Sequence, residues 1–207
     1  MSVLEAIARE VAGCQRCDLA KTRNLTVPGE GNPEADIMLI GEAPGWHENQ
    51  QGRPFVGAAG QFLQELLQPI GLQRSEVFIA NVVKCRPPQN RDPLPEEVVA
   101  CSDYLERQIA AIKPKLIVTL GRYSMGRFFP AGKGIRELHG TTVVKNGVLC
   151  FAMYHPAAAL HQPSLRRTLE QDMLKIPPLV SVAAEIQSPV RPVQGTQVEP
   201  PEQLSLF

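Results

Sequence analysis

Four short apolar runs, each ending at a glycine or a polar side chain, constrain this chain more than any other feature. They are Asp36-Ile37-Met38-Leu39-Ile40, Val77-Phe78-Ile79-Ala80, Lys115 to Leu120, and the run through Val148-Leu149-Cys150-Phe151 toward His155. Runs this short and this apolar read as strands buried on both faces. Segments of helical pattern separate them, which gives an α/β fold: a central, mainly parallel four-stranded sheet flanked by helices and joined by right-handed crossovers. Such sheets bind ligands outside the carboxyl ends of their strands. The residues that follow the strands are Glu42, Asn81, Gly121-Arg122 and His155, so polar groups from four separate segments are expected to meet in one crevice.

The first strand runs into the stretch GEAPGWHENQQGRPFVGAAG, Gly41 to Gly60. Connections between strand and helix usually need only a few residues. This one holds five glycines, two glutamates and the rings of Trp46, His47 and Phe55, the composition of a binding loop rather than of a connector. Elsewhere, Ser2 and Glu5 have the spacing of a capping box before an apolar helical face of Val3, Ile7 and Val11. Pro95 suits the first turn of a helix whose buried side carries Val98, Cys101, Leu105 and Ile109. Asn146-Gly147 between Val143-Val144 and Val148-Leu149 signals a hairpin with a type I′ turn, and Ser164 opens a last helix ending near Lys175.

With 207 residues, 43% of them apolar, one substantial core is expected. Basic and acidic side chains number 21 each, so nucleic-acid affinity must come from local clusters such as Lys84/Arg86/Arg91 or Arg122/Arg127. No apolar run reaches the roughly 18 residues of a membrane span. A cytoplasmic, nucleoid-associated monomer with no membrane partner is the expectation. In that compartment the five cysteines are poor disulfide candidates. Cys14 and Cys17 form a CxxC, and with Cys85 and Cys101 they supply four thiols that can take zinc or an iron–sulfur cluster.

The polar set at the strand ends has its own chemistry. Phe55 offers a stacking plate, Asn81 a carboxamide that donates and accepts, Glu42 and Glu48 carboxylates, and His155 an imidazole. A flat heterocycle with adjacent donor and acceptor fits that set, as a nucleobase does when read on its Watson–Crick edge. An iron–sulfur electron carrier would use the cysteines and leave Phe55, Asn81 and His155 idle. A non-catalytic nucleic-acid-binding module would leave the carboxylates idle.

GEAPG at 41 to 45, the pattern from Glu48 through GRPFVG to Gly60, Asn81 ahead of Lys84-Cys85-Arg86-Pro87-Pro88, and His155-Pro156-Ala157-Ala158 resemble family 4 uracil-DNA glycosylases over about residues 10 to 175. The resemblance implies a three-layer uracil-DNA-glycosylase-like fold and a repair enzyme that flips uracil out of DNA and hydrolyses its N-glycosidic bond. It implies that Cys14, Cys17, Cys85 and Cys101 hold a [4Fe–4S] cluster. Gly41, Glu42 and Ala43 would line the uracil pocket, with Phe55 stacked on the base, Asn81 reading its edge and His155 facing a carbonyl oxygen. Glu42 and His155 would be the catalytic pair, and Glu48 a wall against the methyl of thymine. Ala159, Leu160 and His161 follow at the place of a wedge that enters the duplex. Many relatives carry Asp where this chain has Asn49, and a Leu-Leu-Arg run at 159 to 161. A related group binds uracil covalently through a histidine between the third and fourth cysteines; Arg86 to Ala100 has none, which favours turnover.

Three units follow from this reading. Residues 1–176 form the glycosylase domain, residues 177–202 a disordered Pro/Gln-rich linker of roughly 25–30 Å reach, and residues 203–207 a docking peptide. Gln203-Leu204-Ser205-Leu206-Phe207 resembles the pentapeptide by which bacterial repair proteins bind the sliding clamp.

Overall fold

A computed structural model describes residues 1–187. Six strands form one sheet: β1 (Glu30–Gly31), β2 (Ile37–Gly41), β3 (Phe78–Asn81), β4 (Leu116–Leu120), β5 (Thr142–Lys145) and β6 (Val148–Met153), in the order β1-β3-β2-β4-β6-β5. The four expected strands are the central ones, and every pairing among them is parallel. The sheet is wider than the expected four strands because an antiparallel edge closes each side. On one side the edge is the hairpin partner β5, whose turn residues Asn146 and Gly147 both have positive φ, as a type I′ turn requires. On the other it is β1, two residues long and too short to carry any periodic signal.

The central strands are buried on both faces, and their alternation divides the core in two. Met38, Ile40, Phe78, Ala80, Ile117, Cys150 and Ala152 face α1 (Val3–Ala12) and α4 (Pro95–Ile112). Ile37, Leu39, Val77, Ile79, Val118, Leu120, Phe151 and Met153 face α3 (Ala58–Leu67), α8 (Leu165–Met173) and α9 (Ile176–Gln187). Between these come the short helices α2 (Trp46–Gln51), α5 (Arg122–Phe128), α6 (Ile135–Leu138) and α7 (Pro156–His161), three of which lie just past strand ends. The capping box that opens α1 is formed, with Glu5 N donating to Ser2 Oγ at 3.2 Å and Ser2 N donating to Glu5 Oε2 at 2.9 Å. Among the described residues no helix is long and apolar enough to cross a membrane.

The expected linker begins too early. Residues 177–187 belong to α9, whose Ile176 and Ala183 are fully buried and whose Gln187 Nε2 donates to Pro114 O at 3.1 Å. Pro177 and Pro178 suggested a tether, yet they fall in the first turn, where the backbone N–H groups have no helical partner to lose. Residues 188–202 and the peptide 203–207 lie outside the described residues. Replacing Ile176 by Ala should cost about 2–5 kcal/mol and lower the Tm by roughly 5–15 °C. An unchanged melting curve by calorimetry would mean that this segment does not belong to the folded unit.

Candidate active site

The parallel register of β2 on β3 sets Gly41 opposite Asn81 at the carboxyl edge of the sheet. There is no room for a side chain between them. A Cβ on Gly41 would collide with Asn81 Oδ1 and lie 2.8 Å from the ring of Phe55. Next along the sheet, Gly121 ends β4 at φ +93°, and a Cβ there would sit 3.1 Å from that of His155, just beyond β6. These two glycines let Asn81, Phe55 and His155 close on one crevice of about 650 Å³, which Glu42, Ala43, Gly45, Glu48, Arg91, Arg122, Ala157, Ala158 and His161 also line. The ring of Phe55 stacks on that of His155, centroids 5.4 Å apart and planes 25° from parallel.

Asn81 is 2% exposed, and its Oδ1 is the one buried side-chain nitrogen or oxygen without a hydrogen-bond partner among the described residues. Such an atom costs about 1–3 kcal/mol and needs a reason. The oxygen belongs to a residue that lines the crevice, where a ligand's donor could reach it. Behind Asn81 the site is fully satisfied. Lys84, 1% exposed, donates from Nζ to Asn81 O at 2.9 Å and to Gln108 Oε1 at 2.7 Å, and Gln108 Nε2 donates to Pro28 O at 2.7 Å. Burial lowers the Lys84 ammonium to about 8. Lys84 was expected in a basic surface cluster; it is instead a core strut for the residue that faces the crevice.

His155 is half-buried, and its own backbone context assigns its tautomer. It is the N-cap of α7, and its Nδ1 accepts from Ala157 N at 3.1 Å. Nδ1 therefore carries the lone pair, which leaves Nε2 with the proton. Burial holds the imidazole down at about 4, against a smaller opposing influence of Glu48. At neutral pH His155 is thus an uncharged donor. Glu42, half-buried, is pushed the other way to about 7 by burial and by Asp92, with Arg122 opposing. Arg122 and Arg91 stand on the same crevice, each tied to an acid: Arg122 Nη2 to Asp92 Oδ2 at 2.5 Å, and Arg91 through two bonds of 2.7 and 2.9 Å to the buried Glu97.

Glu48 lines the crevice as expected, but its carboxylate is committed elsewhere. Oε1 accepts from Val56 N at 2.8 Å and Gly57 N at 3.0 Å, and Oε2 from Gly45 N at 3.1 Å, so it ties the two ends of the loop together. Asn49 is buried at 4% exposure, and its Oδ1 accepts from Asn24 N at 2.9 Å, a structural use for that side chain. Of the three wedge positions, Leu160 is 49% exposed and His161 reaches the crevice, whereas Ala159 is buried in the core. The helical period explains it: 156 and 159 share the inward face of α7, so Ala159 is not a wedge residue.

Cys14, Cys17, Cys85 and Cys101 line a single cavity walled by Val11, Leu19, Val83 and Tyr104. Their sulfurs also meet donors: Arg16 N reaches Cys14 Sγ at 3.5 Å, Arg23 Nη1 reaches Cys85 Sγ at 3.4 Å, and Lys84 N reaches Cys101 Sγ at 3.2 Å. Burial pushes the Cys101 thiol up to about 11. Among the described residues no three His, Cys, Asp or Glu side chains converge as a single metal ion would need. Cys150 stands apart, fully buried on β6.

Fold and crevice define an α/β protein with a ring-lined, polar crevice at the carboxyl end of a parallel sheet. The family model of the uracil DNA glycosylase superfamily matches residues 28–175. The type-4 uracil-DNA glycosylase of Sulfurisphaera tokodaii is 50% identical over 188 residues, 85% of this chain and 84% of that protein. Those of Archaeoglobus fulgidus and Thermotoga maritima are 47% and 42% identical, over 85% and 84% of this chain and 92% of each relative. The chain belongs to the uracil DNA glycosylase superfamily, in the company of its type-4 members.

The two shifted groups act on stability in opposite senses. His155, lowered from 6.5 to about 4, stabilises fully above pH 6.5, and that stability is lost as pH falls toward 4. Glu42, raised from 4.5 to about 7, contributes stability below 4.5 that is lost as pH rises to 7. Nitrogen-15 NMR should find His155 protonated at Nε2 only, with a midpoint near 4. A midpoint near 6.5, or an Nδ1–H tautomer, would contradict this assignment.

Proposed function

We infer that the chain is a uracil-DNA glycosylase of base excision repair, releasing free uracil and leaving an abasic site. The orphaned Asn81 Oδ1 in a crevice of ring-stacking dimensions carries this reading. Uracil offers N3–H to that oxygen and O4 to the Asn81 amide. Cytosine reverses both groups, which leaves mismatched buried polar atoms at about 1–3 kcal/mol each. Phe55 packs on the face of the base, and Glu48 holds the loop that walls off the methyl of thymine.

Cleavage breaks the bond between C1′ and N1, and its electron pair enters the uracil ring. Negative charge grows on O2, where the Nε2–H of His155 donates. A neutral imidazole suits this role, since it strengthens a hydrogen bond without surrendering a proton. Positive charge grows on the sugar, beside the Glu42 carboxylate, which also orients the water that adds to C1′. The proton lost by that water balances the one taken up by the uracil anion. Arg91 and Arg122 supply positive charge for flanking phosphates, and Leu160 with His161 fills the space that uracil vacates.

The four cysteines fit a [4Fe–4S] cluster by donor type and by the N–H groups that meet their sulfurs. Bound there, it would staple α1 and the 85–101 segment to the core and supply no step of the cleavage. The peptide 203–207 supports docking on a bacterial sliding clamp, with Leu206 and Phe207 as its apolar anchors. Tethering of that kind raises effective concentration on DNA and leaves the crevice untouched.

On a uracil-containing oligonucleotide, Asn81→Asp should lower kcat/KM by about 10–100-fold, and His155→Ala should lower the single-turnover rate by about 100–1,000-fold with DNA affinity little changed. Wild-type rates in both variants would mean that the site is elsewhere. Deleting residues 203–207 should abolish clamp binding in calorimetry while excision from a short oligonucleotide stays the same; clamp binding by the truncated protein would refute the docking role.

A further inference from the structure

Trp46 is the only tryptophan in the sequence, and it stands 53% exposed at the first position of α2. Tryptophan is well buried on average, and the proposed cleavage gives this one no task. Its setting is not that of a loose surface side chain. The residue before it, Gly45, and Glu48 within the same helical turn both line the base crevice. The Glu48 carboxylate pins Gly45, Val56 and Gly57, so the start of α2 is fixed against the loop that carries Phe55. His47 stands perpendicular to the indole, centroids 4.9 Å apart at 88°, and is itself packed on the loop, since a Cβ on Gly57 would come within 3.2 Å of its ring. The indole is braced on one side and open to solvent over half its surface.

A nucleotide turned out of a strand leaves its neighbours without a stacking partner on that side. Single-stranded bases stack on aromatic side chains with little regard to sequence, because every base has a π face. We propose that Trp46 is a stacking platform for a nucleobase of the substrate strand adjacent to the uracil, a second base subsite just outside the crevice. It rests on the reading of the crevice as a uracil site. Arg91 and Arg122 line the same crevice as Gly45 and Glu48, the neighbours of Trp46 in the sequence.

Because Trp46 is alone, intrinsic fluorescence reports on it without labelling. The probes are two single-stranded oligonucleotides with one uracil each, one of ordinary sequence and one whose nucleotides flanking the uracil lack bases but keep their phosphates. Binding is read with the full chain carrying His155→Ala, which holds the uracil in place. The ordinary strand should quench the emission to saturation, and the strand without flanking bases should not. Trp46→Ala, in a protein otherwise wild type, should weaken binding of the ordinary strand by about 5- to 100-fold and leave the saturated cleavage rate unchanged, whereas Trp46→Phe should restore most of the affinity. Normal uracil excision with no quenching, and equal affinity in Trp46→Ala, would overturn this subsite and leave the glycosylase reading standing. Failure of the wild-type chain to excise uracil at all would remove both.

Discussion

Everything at the carboxyl edge of the sheet depends on the pairing that sets Gly41 against Asn81. A slip of one residue in that parallel register would turn every side chain of β2 to the opposite face, and any side chain at 41 would displace both the carboxamide and the ring of Phe55. The pairing is held by apolar residues on both faces of β2 and β3, all buried. Its polar consequence is one unsatisfied oxygen. Lys84 and Gln108 then fix the main chain of Asn81 from behind, and the amide of Lys84 reaches Cys101, so one lysine contacts both a wall of the cysteine cavity and the residue that faces the crevice.

The loop is built with comparable economy. Phe55 adopts φ 51°, a conformation uncommon and costly for a bulky side chain. Its environment over-determines that shape: Arg74 donates from Nη1 to Phe55 O at 2.9 Å and from Nη2 to Pro54 O, while Glu48 takes the next two amides. Strain held by several independent contacts is a feature of ligand sites. Here it fixes the Phe55 ring at the crevice.

Much of this was legible in residue order. Period and length found the four central strands, because strands buried on both faces are continuous apolar runs bounded by punctuation, and Ser2/Glu5 and Asn146-Gly147 are local signals that need no tertiary context. The convergence of Glu42, Asn81, Arg122 and His155 followed from topology alone. What stayed hidden depends on packing. Proline in a first turn looks like proline in a tether, so α9 was missed; a lysine beside arginines looks like a basic face, yet Lys84 is enclosed by neutral oxygens. Alanine at 159 carries no sign of which side of α7 it occupies. The commitment of the Glu48 carboxylate to three amides was equally invisible, since two of them lie eight and nine residues away.

Electrostatics complete the division of labour. One crevice keeps an imidazole neutral and a carboxylate near its titration point, by burial in both cases and by Asp92, against Arg122, in the second. The proposed contact on which uracil recognition rests is the hydrogen bond from uracil N3–H to the lone oxygen of Asn81. Single-turnover excision from matched oligonucleotides carrying uracil or N3-methyluracil measures this directly. The methyl group removes the donor and leaves the glycosidic bond in place. A drop of at least about 10–100-fold for the methylated base is the result expected from losing that bond, and equal rates for the two would contradict it.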